Sequence, residues 1–449
     1  MRIVLFDIDC LRPDHLGCYG YARPTSPNID AVAREGMRFD SYYCASSPCL
    51  PSRTEWTSGR FGIRNGVISN VGAGAQFRIR TRSYGGPEPE NDLLMRTLRA
   101  AGWDTISFSN FADRHNSPWF MSGWTEFHTP NLKGGQETAD EVDAPLLRWI
   151  RQNRGRDNYL LHINYWDAHR CYRMDASWSE RFRDYPVPQQ WPDEAAIAAH
   201  QSLKGPFTAH AQFANDESPL PLMPGAINSR ADFEHMITGY DAAVAYVDHH
   251  AGVVLNELAD QGGLEDTAVI VTGDHGDAFG EHGIYSDHVC ADECIHHIPL
   301  IIRWPGAPPG GACDSLLCNV DLPPALCELM GAEAPEEWDG QSFAPHLMGR
   351  PGTERTHLVW QHALYTVQRA VRTRDHLFIR TYDPLSFARE EAELFDMRRD
   401  PYQTANIARE NGAIVEDCQA LLDGWVEEQL SKPGSGPDPL EAVLAERRH

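Results

Sequence analysis

An α/β fold with a large, mostly parallel sheet is predicted by three features: strand-length apolar runs alternate with helical stretches, several of those runs end in clustered polar residues, and the rhythm changes after about residue 350. The chain opens on IVLFDID, a strand, and the next helix is expected near Ser26, with Pro27 at its first position and Gly36 as its stop. LLMRTLRAAG followed by DTISFSN reads as helix, glycine, strand. PLLRWIRQ precedes the apolar run YLLHINYW, YDAAVAYVDHHAGVVLNELAD precedes TAVIVTG, and HIPLIIRW is one more strand candidate. From about Arg173 to Ala231 the periodicity is lost and Trp178 and Trp191 lie among many prolines, so residues 173–231 are expected to form a lid or insertion. Beyond the Gly349 to Gly352 stretch, LVWQH, VQRAVRT and HLFIRTY follow closely. They predict a smaller antiparallel sheet with a helix around Ile414 to Gln429. The expected division is a first unit over residues 1–350 and a C-terminal subdomain over 351–449, with the polar stretch from Lys432 loosely held.

Composition narrows the functional classes. The 449 residues carry 39 Lys+Arg against 64 Asp+Glu, a formal charge of −25, which argues against nucleic acid as a partner. A hydrophobic share of 42% is enough to bury a sizeable core. No run is long and apolar enough to predict a membrane span, and MRIVLFDIDC reads as a strand and not as a signal peptide. The 11 cysteines are odd in number and contain no Cys-x-x-Cys pair, so a reduced, cytoplasmic setting is expected.

Reactive groups in open α/β sheets gather at the carboxyl ends of the strands. Here the first strand ends in Asp7 and Asp9, YLLHINYW runs into Asp167 and His169, and TAVIVTG runs into Asp274, His275 and Asp277, with His282 and His288 close behind. Buried carboxylates need a partner, and Asp9, Asp274 and His275 offer a divalent cation two oxygens and a nitrogen; the alternative is a set of capping or hydrogen-bonding residues. The most specific string is CLPSRTEWTSGR, from Cys49. Pro51 and Ser52 open a helix there, which places Cys49 at a helix N-terminus that favours an anion or a nucleophile. Arg53, one turn on, is placed to hold a carboxylate, sulfate or phosphate-like group.

This string resembles the signature of the type I sulfatases of the alkaline phosphatase superfamily, Cys-x-Pro-Ser-Arg with a Gly-Arg ending, matched by Cys49, Pro51, Ser52, Arg53 and the SGR that ends at Arg60. LRPDHLGCYGYARPTSPNIDAVAREGMRF, WDAHRCY, VTGDHGDAFGEHGIYSDH, HIPLIIRWPG and ELFDMRRDPYQTANIA resemble further sulfatase segments in the same order.

The resemblance implies that Cys49 is converted by a maturase to formylglycine, whose hydrated diol attacks sulfur from a metal ion held by Asp9, Asp274 and His275, with Arg53 orienting it. It also makes His169 the proton donor to the leaving oxygen, puts His288 where many members carry a lysine that grips sulfate, and makes Asn70 a candidate sulfate donor, with a turn residue as its other reading. Three departures stand out. Cys10 follows Asp9 where many members have a second aspartate, with Asp7 the possible substitute. Alignment on AGW puts Asn110 and Ala112 where many members have lysine and histidine, and the metal pair is Asp–His and not Asp–Asn. Calcium is the metal expected first, with manganese or zinc admitted by the histidine. The implied activity is hydrolysis of a sulfate monoester, on a small molecule or more readily a carbohydrate. The alternatives are a phosphonate monoester or phosphodiester hydrolase of the same superfamily, or an inactive member that binds sulfated glycans, and a homo-oligomer is possible. His115, Arg114 and Arg170 lie beside the expected site loops, while His162, His249, His250, His296 and His297 are expected to be structural.

Overall fold

The computed structural model describes residues 1–78, 92–210 and 220–448. Eight strands form its central sheet: β1 (Arg2–Ile8), β2 (Met37–Phe39), β3 (Asp104–Phe108), β4 (Glu126–His128), β5 (Tyr159–Tyr165), β6 (Thr267–Gly273), β7 (Leu300–Arg303) and β8 (Gly311–Cys313). They lie in the order β8-β2-β7-β6-β1-β5-β3-β4. β1 is central and parallel to both β5 and β6, whereas β7 runs antiparallel to β6 and β2. The period-2 alternation of β1 divides the core: Val4, Phe6 and Ile8 pack on one face, Ile3 and Leu5 on the other. Helices α1 (Pro27–Glu35), α4 (Ala139–Gln152) and α5 (Arg230–Asp260) cover the first face, and α2 (Cys49–Ser58) covers the second, where the odd-numbered Asp7 and Asp9 also belong. This alternation brings strand-end carboxylates and a buried helix together.

Local signals set the ends of these helices. α1 starts at Pro27, and its chain stops at Gly36. α2 ends at Gly59, in the left-handed conformation with φ 65°, where an added Cβ would lie 2.4 Å from the ring of Trp338. α5 starts earlier than its apolar pattern, because Ser229 caps it by accepting from the Asp232 N–H. Within 173–231 the described residues include two short helices, Ser177–Glu180 and Glu194–His200. Trp178 packs edge-on against Tyr246 of α5, and Trp191 stacks on Tyr402.

The smaller sheet has five strands: β9 (His357–His362), β10 (Val367–Thr373), β11 (His376–Asp383) and β12 (Ala392–Asp396) run antiparallel, and Ser46–Ser47 joins β9 at its edge. The two residues before the α2 turn are therefore held by the C-terminal sheet. Helix α6 (Gly412–Ser431) packs on this sheet.

The expectation of a loosely held tail from Lys432 is corrected. Helix α7 (Pro439–Arg447) follows, with Asp438 capping the Leu440 N–H and Pro439 at the first position. Leu440, Val443 and Leu444 have helical spacing and pack on Ile68, Ala363 and Val367, and Asp438 pairs with Arg369 at 2.6 Å. Arg447 donates to the carbonyls of Ala363, Leu364 and Tyr365. The tail is polar in composition but apolar along one stripe. Leu440→Ala is expected to cost about 2–4 kcal/mol, read as a lower denaturation midpoint; a loss below about 0.5 kcal/mol contradicts this packing role.

Candidate active site

At the carboxyl edge of the sheet, β1 delivers Asp7 and Asp9, β6 delivers Asp274 and His275, and α2 points its first residue between them. Asp9, Cys49, Asp274 and His275 each place a ligand atom within 4.8 Å of the others, and all four are buried. Arg53 lies beneath, fully buried, and satisfies three carboxylates. Its Nε and Nη2 donate to Asp7 at 2.7 and 2.9 Å, and Nη1 donates to Asp9 at 2.8 Å and to Asp274 at 2.6 Å. Its guanidinium also faces the rings of Phe111 and Trp166. Asp274 Oδ1 accepts from the backbone N–H groups of Cys10 and His275, at 3.1 and 2.9 Å.

The charges do not balance within the protein. Arg53 contributes one positive charge against three buried carboxylates. Burial, followed by the charges of Asp9 and Asp7 against the opposing pull of Arg53, leaves the Asp274 carboxyl well above its usual range. For Asp9, burial is outweighed by the Arg53 guanidinium, so its carboxyl is held below that range. A divalent cation fits this set: two carboxylates in excess of local positive charge, and one imidazole in the right tautomer. His275 is neutral through burial and the charge of His288, and its Nδ1 donates to the Gly276 carbonyl at 2.9 Å. Its Nε2 is then the lone-pair side, 3.2 Å from Cys49 Sγ.

Two more histidines face the cluster. His288 Nδ1 is 2.8 Å from Asp277, and its ring centroid lies 4.2 Å from that of His275 and 5.8 Å from that of His169. Burial works against its proton, but Asp287 and Asp277 raise its pKa to about 9, so it is an imidazolium at neutral pH. His169 is the opposite case. Burial lowers it to about 3, and its Nδ1 contacts the Arg170 carbonyl. Cys10, in a left-handed turn with φ 57°, hydrogen-bonds Asp9 through its thiol at 3.2 Å, and its sulfur lies within the same 4.8 Å limit of His275, Asp277 and His288.

Other residues singled out in the sequence find different places. Asp7 has both oxygens on Arg53 and one also 3.2 Å from His162, so it is turned away from the Asp9–Asp274 cluster. His162 is a structural partner of Asp7 and Ser107. Asn70 uses its carbonyl oxygen to cap α2, accepting from the Leu50 N–H at 3.0 Å. Asn110 donates to Glu137 at 2.6 Å, and Ala112 is buried in the apolar core beside it. The charged groups that reach the site on this side come later, from helix α3 (Phe111–Arg114) and the residue after it. Arg114 lies over the ring of Trp166 at 5.1 Å and adds positive charge at the Cys49 thiol. His115 is kept neutral, at about 3, by burial and by Arg114 and Arg53, and its Nε2 is buried with no hydrogen-bond partner. A short helix separates the aligned positions 110 and 112 from the charged Arg114 and the buried His115. Arg170, on the other flank, pairs with Asp287 at 2.9 Å and covers the ring of Phe207.

The sulfatase family model matches residues 2–332, and the model of the N-sulphoglucosamine sulphohydrolase C-terminal region matches residues 280–428. An N-acetylglucosamine-6-O-sulfatase of Bacteroides thetaiotaomicron is 25% identical over an alignment covering 96% of this chain and 86% of that protein. An arylsulfatase of Clostridium perfringens is 23% identical, covering 90% of each. Among solved structures, a protein in complex with its substrate D-glucosamine-2-N,6-O-disulfate superposes with a TM-score of 0.77 at 20% identity, covering 96% of this chain and 99% of that one. A phosphonate monoester hydrolase from Silicibacter pomeroyi gives 0.74 at 20% identity, covering 96% and 95%.

Proposed function

This chain belongs to the type I sulfatases of the alkaline phosphatase superfamily, and from that membership we propose that it hydrolyses carbohydrate sulfate monoesters, with residue 49, matured from cysteine to formylglycine, as nucleophile. The observation that supports this most directly is the buried meeting of Asp9, Cys49, Asp274 and His275 over Arg53. An unmodified thiol is badly placed to attack: burial, then the charges of Asp9 and Asp274, push the Cys49 pKa well above an ordinary thiol's. Formylglycine, once hydrated, supplies a hydroxyl in its place. Asp9, Asp274 and His275 would hold the divalent cation, which supplies Lewis-acid charge beside that hydroxyl. A histidine among the ligands leaves calcium, manganese and zinc all admissible.

The remaining work falls to side chains of the chain itself. Arg53 fixes the carboxylates and so the position of residue 49. Arg114, the His288 imidazolium and the N-terminus of α2 give an anionic sulfate a positive surround within an acidic protein. The resemblance puts the leaving-group proton on His169; the raised pKa of His288, held by Asp277, supports His288 as the donor instead, and neutral His169 then offers a proton acceptor. The eleven free cysteines further favour a reducing compartment.

A pH profile separates the two histidines. kcat/KM is expected to hold through neutrality and fall as pH rises through about 9 or somewhat below, since a nearby cation lowers the His288 value of about 9. His288→Lys is expected to move that limb upward. A profile flat to the alkaline limit of stability speaks against His288. The overall reading is tested by turnover of sulfated monosaccharides with protein co-expressed with a maturase. Cleavage of aryl phosphonates or phosphodiesters without any sulfate ester shifts the assignment to the hydrolase branch represented by the phosphonate monoester hydrolases.

A further inference from the structure

On the flank of the site at the ends of β3 and β5, Arg173 is a positive charge that the cleavage described above does not use. In a chain with 64 acidic and 39 basic residues, an arginine near a cleft normally finds a carboxylate. Arg12, Arg23, Arg53 and Arg170 all do. Arg173 does not: among the described residues no carboxylate or carbonyl pairs with it, although it is half-buried. Among the described residues its neighbour Arg114 hydrogen-bonds only the Gly134 carbonyl, at 2.6 Å.

The nearby acids are committed elsewhere. Glu137 accepts from the Asn110 side chain and the Lys133 N–H on one oxygen, and from the Gly135 N–H on the other. Asp167 is buried with Oδ2 unpartnered, and burial raises its pKa far enough to oppose ionisation. Burial lowers the Arg173 pKa and Arg114 adds repulsion, while Cys171, Asp167 and Glu137 attract the charge without forming an ion pair with it. Arg173 lies four residues after His169, on the loop leaving β5, and Arg114 ends the helix that leaves the adjacent β3. Arg114 is near enough for its charge to act on both Cys49 and Arg173.

We propose that Arg173, next to Arg114, is a second anion subsite, which holds a carboxylate or a second sulfate on the same sugar chain whose sulfate ester is cleaved at residue 49. The proposal rests on the sulfate-ester hydrolase reading above. A guanidinium fork matches either oxyanion in bidentate fashion, and a half-buried one does so with little competition from water. The subsite makes the protein selective for substrates with two anionic groups, by binding and without touching the reacting sulfur.

The test compares the matured full chain with its Arg173→Gln variant on four sulfate esters: p-nitrophenyl sulfate, glucosamine 6-sulfate, glucosamine 2-N,6-O-disulfate, and a 6-sulfated glucosamine linked to a uronate. The wild type is expected to favour one or both dianionic sugars at least tenfold in kcat/KM, and the two arms tell sulfate from carboxylate. Arg173→Gln is expected to remove that preference through KM, with p-nitrophenyl sulfate turnover and Tm unchanged. Calorimetric titration of the disulfated sugar and the uronate-linked sugar into Cys49→Ala protein, with and without Arg173→Gln, reads the same contact without turnover. Equal kcat/KM on all sugars in the wild type, or a loss on all four substrates alike, overturns the proposal. No turnover of any sulfate ester overturns the hydrolase reading and this proposal with it.

Discussion

Cys49→Ala is expected to abolish sulfate-ester turnover, by about 10^4-fold or more, while the protein stays folded. The reason is the location of the side chain. Residue 49 is the first of α2, fully buried, with Asp9, Asp274 and His275 around it and Arg53 one turn beneath. The other thiol nearby, Cys10, lies in the turn after β1 and not in the signature string or at the helix N-terminus. Losing one sulfur from a buried position costs about 1 kcal/mol, so unchanged secondary structure and a modest fall in Tm are expected beside complete loss of activity. Peptide mass analysis of the wild type is the companion measurement: the peptide containing residue 49 is expected to carry the aldehyde or its hydrate. Unmodified cysteine with full activity would falsify the assignment. Unmodified cysteine with no activity, even beside a maturase, points to a protein that only binds sulfated glycans.

The clustering around residue 49 was legible because it depends on two local rules. Strand ends in a parallel sheet converge on one edge, and a helix opening at Cys49 points its N-terminus at that edge. Asp9 belongs to the covered face by simple alternation along β1, with Ile3, Leu5 and Asp7. The same alternation left Asp7 undecided, since only the three-dimensional reach of Arg53 shows it engaged by the guanidinium. Arg114 and His115 escaped alignment for a related reason. Counting from AGW assumes that the segment after β3 is a fixed-length loop, but residues 111–114 form a helical turn that carries charge forward by four positions. The arginine and histidine side by side after a strand were the available signal. Asn70 reads as a turn residue or a donor in sequence, and its role as a cap of α2 depends on a contact twenty residues away.

The tail carries the same lesson in reverse. Its composition is polar, so an average over residues 432–449 predicts looseness, whereas position-by-position reading of Asp438, Pro439, Leu440 and Val443 gives a capped helix with an apolar stripe. Its last turn matters for the site as well. Arg447 holds the carbonyls of the 363–365 loop, and Tyr365 in that loop packs edge-on against Phe207, the ring covered by Arg170. The far C-terminus thereby helps to shape one flank of the cleft, and the C-terminal sheet fixes Ser46 and Ser47 just before α2.

Arg53→Met is expected to be the most destabilising single substitution of the site, at about 3–5 kcal/mol in the presence of a chelator. The side chain is buried, and four of its hydrogen bonds end on Asp7, Asp9 and Asp274. Methionine fills much of the volume but leaves the carboxylates of Asp7, Asp9 and Asp274 without the guanidinium that pairs with all three. Two follow-up variants tell charge from packing. Arg53→Lys keeps the positive charge but cannot reproduce the fork to Asp7, so an intermediate loss is expected. Adding Asp7→Asn to Arg53→Met removes the carboxylate that lies outside the candidate cation cluster, and it is expected to restore part of the stability, a coupling visible in a double-mutant cycle. A divalent cation should then raise the Tm of the Arg53→Met protein more than that of the wild type, since it neutralises Asp9 and Asp274 where the guanidinium no longer does. A loss below about 1 kcal/mol on Arg53→Met, or strict additivity with Asp7→Asn, would mean that the buried charges are screened by other means and that Arg53 serves the chemistry alone.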